Sequence, residues 1–152
     1  RQSPQVKVME RTNFRYIRPE DLDGPPPDFA TIDVSFISLA KIFPPLHTLL
    51  PKRGEVVALI KPQFEAGREK VGKSGVVRDK KVHAEVLEHV TGFAEQQGFF
   101  LKGLTYSPIT GGEGNIEFLA YLTTDKQDQN IVAAGLRRGL IDTVVEEAHA
   151  SL

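Results

Sequence analysis

Gly54-Glu55-Val56-Val57-Ala58-Leu59-Ile60-Lys61 decides the fold. A strand with one wet face alternates apolar and polar side chains. An uninterrupted apolar run from Val56 to Ile60 therefore predicts a strand buried on both faces, as in a parallel sheet covered by helices. Upstream, Phe29-Ala30-Thr31-Ile32-Asp33-Val34 reads as another strand, apolar and β-branched until Asp33 interrupts it. Between the two, Leu39, Ile42, Phe43, Leu46, Leu49 and Leu50 recur at helical spacing, and Pro44-Pro45 is expected to divide that stretch into two short helices.

Downstream, residues 61–78 are basic and glycine-containing and read as a long loop. Asp79 offers an N-cap for a helix reaching Gln97, with Val82, Val86, Val90 and Phe93 on one face and Gly98 as its stop. Two further strands, 99–106 and 116–123, flank Ser107-Pro108-Ile109-Thr110-Gly111-Gly112-Glu113-Gly114 and predict an antiparallel pair. A final amphipathic helix over 129–151 would use Val132, Leu136, Leu140, Val144 and Ala148. Val6-Lys7-Val8-Met9 is a short strand candidate ahead of the proline-rich 18–27 segment. Strands alternating with helices and ending in an antiparallel pair give an α/β fold: a mostly parallel sheet with one antiparallel strand.

Composition narrows the function classes. The 152 residues are 40% hydrophobic and 26% charged, the profile of one globular unit. There are no cysteines and four scattered histidines, so neither a thiolate nucleophile nor a metal-ligand spacing is present. No apolar run approaches the roughly 20 residues that span a bilayer, which predicts no stable membrane insertion, and the chain is read as cytoplasmic. A net charge of −1 requires any nucleic-acid binding to come from a local basic patch. Arg68, Lys70, Lys73 and Arg78, interleaved with glycines, are the candidate phosphate contacts, against a merely solvated loop. Gly111-Gly112-Glu113-Gly114 sits between strands and reads as a turn, not as a dinucleotide cradle.

Three charges interrupt apolar segments: Asp33, Lys61 and Glu117. Parallel strands ending at Asp33 and Lys61 deliver both side chains to the carboxyl edge of the sheet, where open α/β folds bind ligands. A reversed last strand returns Glu117 to the same edge. Topology alone predicts a polar site of unspecified chemistry.

Five short motifs then fall in order along most of the chain: Met9-Glu10-Arg11-Thr12-Asn13, Thr31 to Leu39, Leu59 to Gly67, Gly75 to Asp79, and Gly114-Asn115-Ile116-Glu117-Phe118. Together they resemble the TlyA-type (hemolysin A) family of ribosomal RNA 2′-O-methyltransferases. The resemblance implies a Rossmann-like, S-adenosylmethionine-dependent, FtsJ-like methyltransferase fold, of which residues 1–152 are the C-terminal part. The S4-type RNA-binding domain, the cofactor-binding motif and the first lysine of the family's Lys-Asp-Lys-Glu set are expected upstream of Arg1. Of that set, Asp33, Lys61 and Glu117 are present here as the catalytic candidates. Asn13, Phe14 and Asp33 are the cofactor-binding candidates, although a capping Asn beside a core Phe explains the first two equally well. Phe64 is a candidate to stack on a flipped base, against ordinary loop packing.

The implied reaction is methylation of a ribose 2′-hydroxyl, in cytidine by the family's habit. The implied partner is ribosomal RNA or a ribosomal subunit. A ribose hydroxyl is a poor nucleophile, so a lysine that takes its proton needs close positioning or a base strength brought nearer to ambient pH than the usual lysine value of about 10.4. The alternatives are a non-enzymatic RNA-binding module and a membrane-active protein, as the hemolysin name suggests. In the family's strand order the Val6 strand has no neighbour within this chain. A four-stranded core is therefore predicted, with Phe29 to Val34 at an edge able to recruit a second copy.

Overall fold

The computed structural model describes residues 3–152. Four strands, β1 (Phe29–Ile32), β2 (Glu55–Ile60), β3 (Phe100–Tyr106) and β4 (Phe118–Thr123), form one sheet in the order β1-β2-β4-β3. β1 and β2 are parallel, whereas β4 lies antiparallel to both β2 and β3. Three strands thus run one way. The reversed strand lies between two of them, with Ile60 opposite Phe118 and Tyr106 opposite the same residue.

The helices are α1 (Phe43–Leu49), α2 (Pro62–Glu65), α3 (Lys80–Gln96) and α4 (Ala134–Ser151). Asp79 caps α3 by accepting from the Lys81 N–H at 2.8 Å. Gly98, at φ +87°, carries the chain out of α3 in the left-handed conformation that a Cβ disfavours. Val56, Ala58 and Ile60 on β2 and Phe118, Ala120 and Leu122 on β4 share one fully buried face. They join Val86, Leu87 and Val90 of α3 and Ile141, Val144 and Ala148 of α4 in one core.

Several expectations are corrected. β2 is fully buried on one face only, because Val57 and Leu59 on the other are half-buried. Pro44 and Pro45 do not divide the helical stretch: the break falls at Ile42, and both prolines lie in the first turn of α1, where a missing N–H costs no helical bond. The 61–78 loop begins with α2 and holds a 3-10 turn at Arg68–Lys70. On α4 the buried positions are Ile141, Val144, Val145 and Ala148, while Leu136 is exposed. A row of every fourth residue drifts by about 40° per step on a helix of 3.6 residues per turn, so Leu136 and Ala148 cannot share a face. Val6 to Met9 forms no strand: it lies beside the 21–27 segment, with no strand next to it to pair with among the described residues.

Candidate active site

The carboxyl ends of β1 and β2 and the start of β4 meet at one sheet edge. Asp33 follows β1, Lys61 follows β2, and Glu117 precedes β4. Lys61 Nζ lies 2.6 Å from Asp33 Oδ1 and donates to Ser35 Oγ at 3.1 Å. The lysine side chain is only 13% exposed and the aspartate 72%, so the lysine is largely shielded while its partner faces solvent. Glu117 is buried and makes no direct contact with the amine; its Oε2 accepts from Gln63 Nε2 of α2 at 2.8 Å. The three predicted residues therefore share an edge in two linked pairs, Asp33 with Lys61 and Glu117 with Gln63. Gln63 Oε1 is buried and has no hydrogen-bond partner, an acceptor with its capacity unmet. Gly111 presses on Glu117 so closely that a Cβ there would collide with the carboxylate.

Two aromatic rings follow the pair in the same two segments. Phe36 stands 89% exposed at φ 63°, a conformation rarely adopted by a bulky residue, and its ring centroid is 4.8 Å from that of Phe64. Backbone strain of this kind persists where the surroundings over-determine it. Sequence reasoning considered Phe64 and missed Phe36. Ser35, Gln63 and Glu65 were missed as well, although all three lie in stretches singled out for their motifs.

Beside β1 runs an apolar cleft of about 290 Å³ lined by Phe14, residues 30–34, Ile42 and Leu46, with Asp33 at its rim. Asn13 is exposed and caps the short turn Phe14–Tyr16, its Oδ1 accepting from the Arg15 N–H at 3.1 Å, while Phe14 packs on the core and walls the cleft.

The basic segment is more constrained than a free loop. Lys70, exposed like Arg68, Lys73 and Arg78, is paired with Glu85 at 2.6 Å. Its end is pinned by Asn115, whose Oδ1 accepts from the Val77 N–H at 2.9 Å and whose Nδ2 donates to Gly75 O and Gly112 O. Asn115 is buried, two residues from Glu117, so the loop and the carboxylate hang from one anchor.

Among the described residues, no helix is long and apolar enough to cross a membrane. The family profile described as FtsJ-like methyltransferase matches residues 1–124. Over all 152 residues the chain is 55% identical to YqxC of Bacillus subtilis, named as a candidate rRNA methyltransferase, and covers 53% of it. It is 39% identical over 136 residues, 90% of this chain and 50% of the relative, to the 16S/23S rRNA (cytidine-2′-O)-methyltransferase TlyA of Mycobacterium tuberculosis. A solved structure named as a candidate hemolysin, from Streptococcus thermophilus, superposes with a TM-score of 0.89 at 51% identity, over 99% of this chain and 52% of that one. The chain spans about half the length of the curated relatives it matches. With the profile match and these likenesses in agreement over most of its length, the chain belongs to the FtsJ-like methyltransferase family.

Proposed function

We propose that this chain forms the catalytic half of an S-adenosylmethionine-dependent enzyme that methylates a ribose 2′-hydroxyl, cytidine in particular, in ribosomal RNA. The observation that carries the reading is the Lys61–Asp33 pair, an amine held at 2.6 Å at the sheet edge and nearly withdrawn from solvent. The cleft beside β1 fits the cofactor class: its apolar wall, Phe14 included, matches a flat adenine, the Asp33 carboxylate matches a positive sulfonium, and Asn13 precedes Phe14 in the turn it caps. When bound, S-adenosylmethionine supplies the electrophilic methyl group.

The residues here do the positioning. Asp33 and Ser35 fix the direction of Lys61 Nζ, so that the amine in its neutral form accepts the proton released by the 2′-hydroxyl. Glu117, steadied by Gln63, keeps a carboxylate at the same edge to accept a ribose hydrogen bond. Phe36 and Phe64 offer a stacking face for an unstacked base of a single-stranded or looped segment, the form in which RNA bases are read. Arg68, Lys73 and Arg78 supply phosphate contacts, with Lys70 in reserve behind Glu85.

The test is transfer of a labelled methyl group to ribosomal RNA by a protein carrying this chain at the length of its curated relatives. Lys61→Met should lower the rate by about 10²- to 10⁴-fold, the range of general-base catalysis, with cofactor binding retained. Methylation undiminished in Lys61→Met, or labelled product that ribose-specific digestion assigns to a base, would overturn the reading.

A further inference from the structure

Lys61-Pro62-Gln63-Phe64-Glu65 has a role for every side chain but the last, since Pro62 starts α2. Glu65 closes α2 and reaches toward the segment that follows β1. Its Oε1 accepts from the Ser38 hydroxyl at 2.6 Å and its Oε2 from the Leu39 N–H at 2.9 Å. Ser38 Oγ also accepts from the Ala40 N–H at 3.1 Å, so the carboxylate grips the N-terminus of a turn that is itself capped.

The grip lies beyond the sheet. β1 and β2 are paired only as far as Ile32 and Ala58, and the segments carrying Asp33, Ser35 and Phe36 on one side, and Lys61, Gln63 and Phe64 on the other, have left the ladder. The salt bridge between these segments ends on a largely exposed aspartate, and the ring pair ends on an exposed Phe36. Links of that kind orient the side chains they join but add little to holding two backbone segments together. The Glu65 hydrogen bonds, by contrast, are part-buried, and they act two and three residues after Phe36, where the left-handed φ must be sustained.

We propose that Glu65 is a positioning residue: its carboxylate straps the post-β1 segment to α2 and thereby sets both the Lys61–Asp33 separation and the Phe36–Phe64 approach. Burial pushes the Glu65 carboxyl above the ordinary glutamate range, against the opposing hydrogen bonds from Ser38 and Leu39. A group kept in place under that penalty is consistent with a geometric task. The consequence for RNA rests on the functional reading above, whereas the strap does not.

Three measurements on this chain separate the two. Nuclear Overhauser effects between the Phe36 and Phe64 rings report the geometry, hydrogen exchange at the Leu39 amide reports the strap, and anisotropy with a pyrimidine-rich single-stranded oligoribonucleotide reports the stacking face. Glu65→Ala should speed Leu39 exchange, abolish the inter-ring Overhauser effects and weaken oligonucleotide binding by about tenfold, as removal of one stacked base would. Glu65→Gln should restore the inter-ring effects, because an amide still offers one acceptor to Leu39 and a donor to Ser38 Oγ. Should Glu65→Ala fail to fold, Ser38→Ala removes one partner alone and should weaken the same signals. Inter-ring effects unchanged in folded Glu65→Ala, or in Ser38→Ala, overturn the proposal. If the inter-ring effects vanish in Glu65→Ala while the wild-type chain binds no oligonucleotide, the strap is upheld and the RNA role of the rings is overturned.

Discussion

Gly111 and Glu117 show how little freedom this edge allows a single side chain. A methyl group at Gly111 meets the carboxylate head-on, so Glu117, buried and bonded to Gln63, must shift to admit it. Gly111→Ala is expected to destabilise the chain by about 1–3 kcal/mol, the usual cost of overpacking, read from the urea midpoint. An unchanged midpoint would mean that the carboxylate swings aside freely. Asp33, Lys61 and Glu117 were legible in sequence because each interrupts an apolar segment, and strand direction then brings all three to one edge. The pairing within the edge was not legible. Glu117 reaches Gln63 and Lys61 does not, a difference set by side-chain placement in α2, which hydrophobic pattern leaves open. Phe36 was hidden for a related reason: no composition signal marks a left-handed phenylalanine.

Helices α3 and α4 meet through two histidines. Val77 O accepts from His83 Nε2 at 2.9 Å, which leaves His83 Nδ1 as the acceptor for His149 Nε2 at 2.8 Å. Burial lowers the proton affinity of both rings below the ordinary histidine value, with Asp79, Lys80 and Glu146 as the charged groups nearby. A histidine held neutral in the fold but protonated when unfolded adds stability that is complete above the unfolded pKa, about 6.5, and declines as pH falls below it. The urea midpoint should therefore drop between pH 7.5 and pH 5, and His149→Gln should flatten that slope. A wild-type midpoint independent of pH over this window would refute the assignment. The basic segment ahead of α3 gives a second expectation. Because Lys70 is engaged with Glu85 and Lys73 is exposed, Lys73→Ala should reduce the salt dependence of RNA binding by about one counterion, and Lys70→Ala by less. Equal effects would show that the Glu85 pair opens on binding. The existence and order of these helices were readable from apolar spacing, and the Asp79 cap and Gly98 stop from residue chemistry. The stripe on α4 was not, because a row of fourth residues only approximates a 3.6-residue period.

Across the molecule, the predicted four-stranded core forms and β1 is its edge. That strand has only four residues, with Phe29 half exposed and Thr31 exposed, and its outer side has no partner strand among the described residues. Strand edges of this kind recruit other chains. The isolated chain is expected to self-associate through β1, with a sedimentation coefficient that rises with concentration, and Thr31→Lys should abolish the rise. Concentration-independent sedimentation of the wild-type chain would exclude this. The placement of β4 also governs how the chain reaches its fold. β2 occupies the middle of the sheet, yet residues 55–60 find their second neighbour only at 118–123. During synthesis the apolar β2 must wait on the ribosome with one flank open until β3 and then β4 have emerged, and β4 must slot between two strands already made. Non-local pairing of this kind slows folding and prolongs exposure of sticky surface. The vulnerable species is thus a nascent chain ending between α3 and β4, and chaperone dependence should concentrate in that interval of translation.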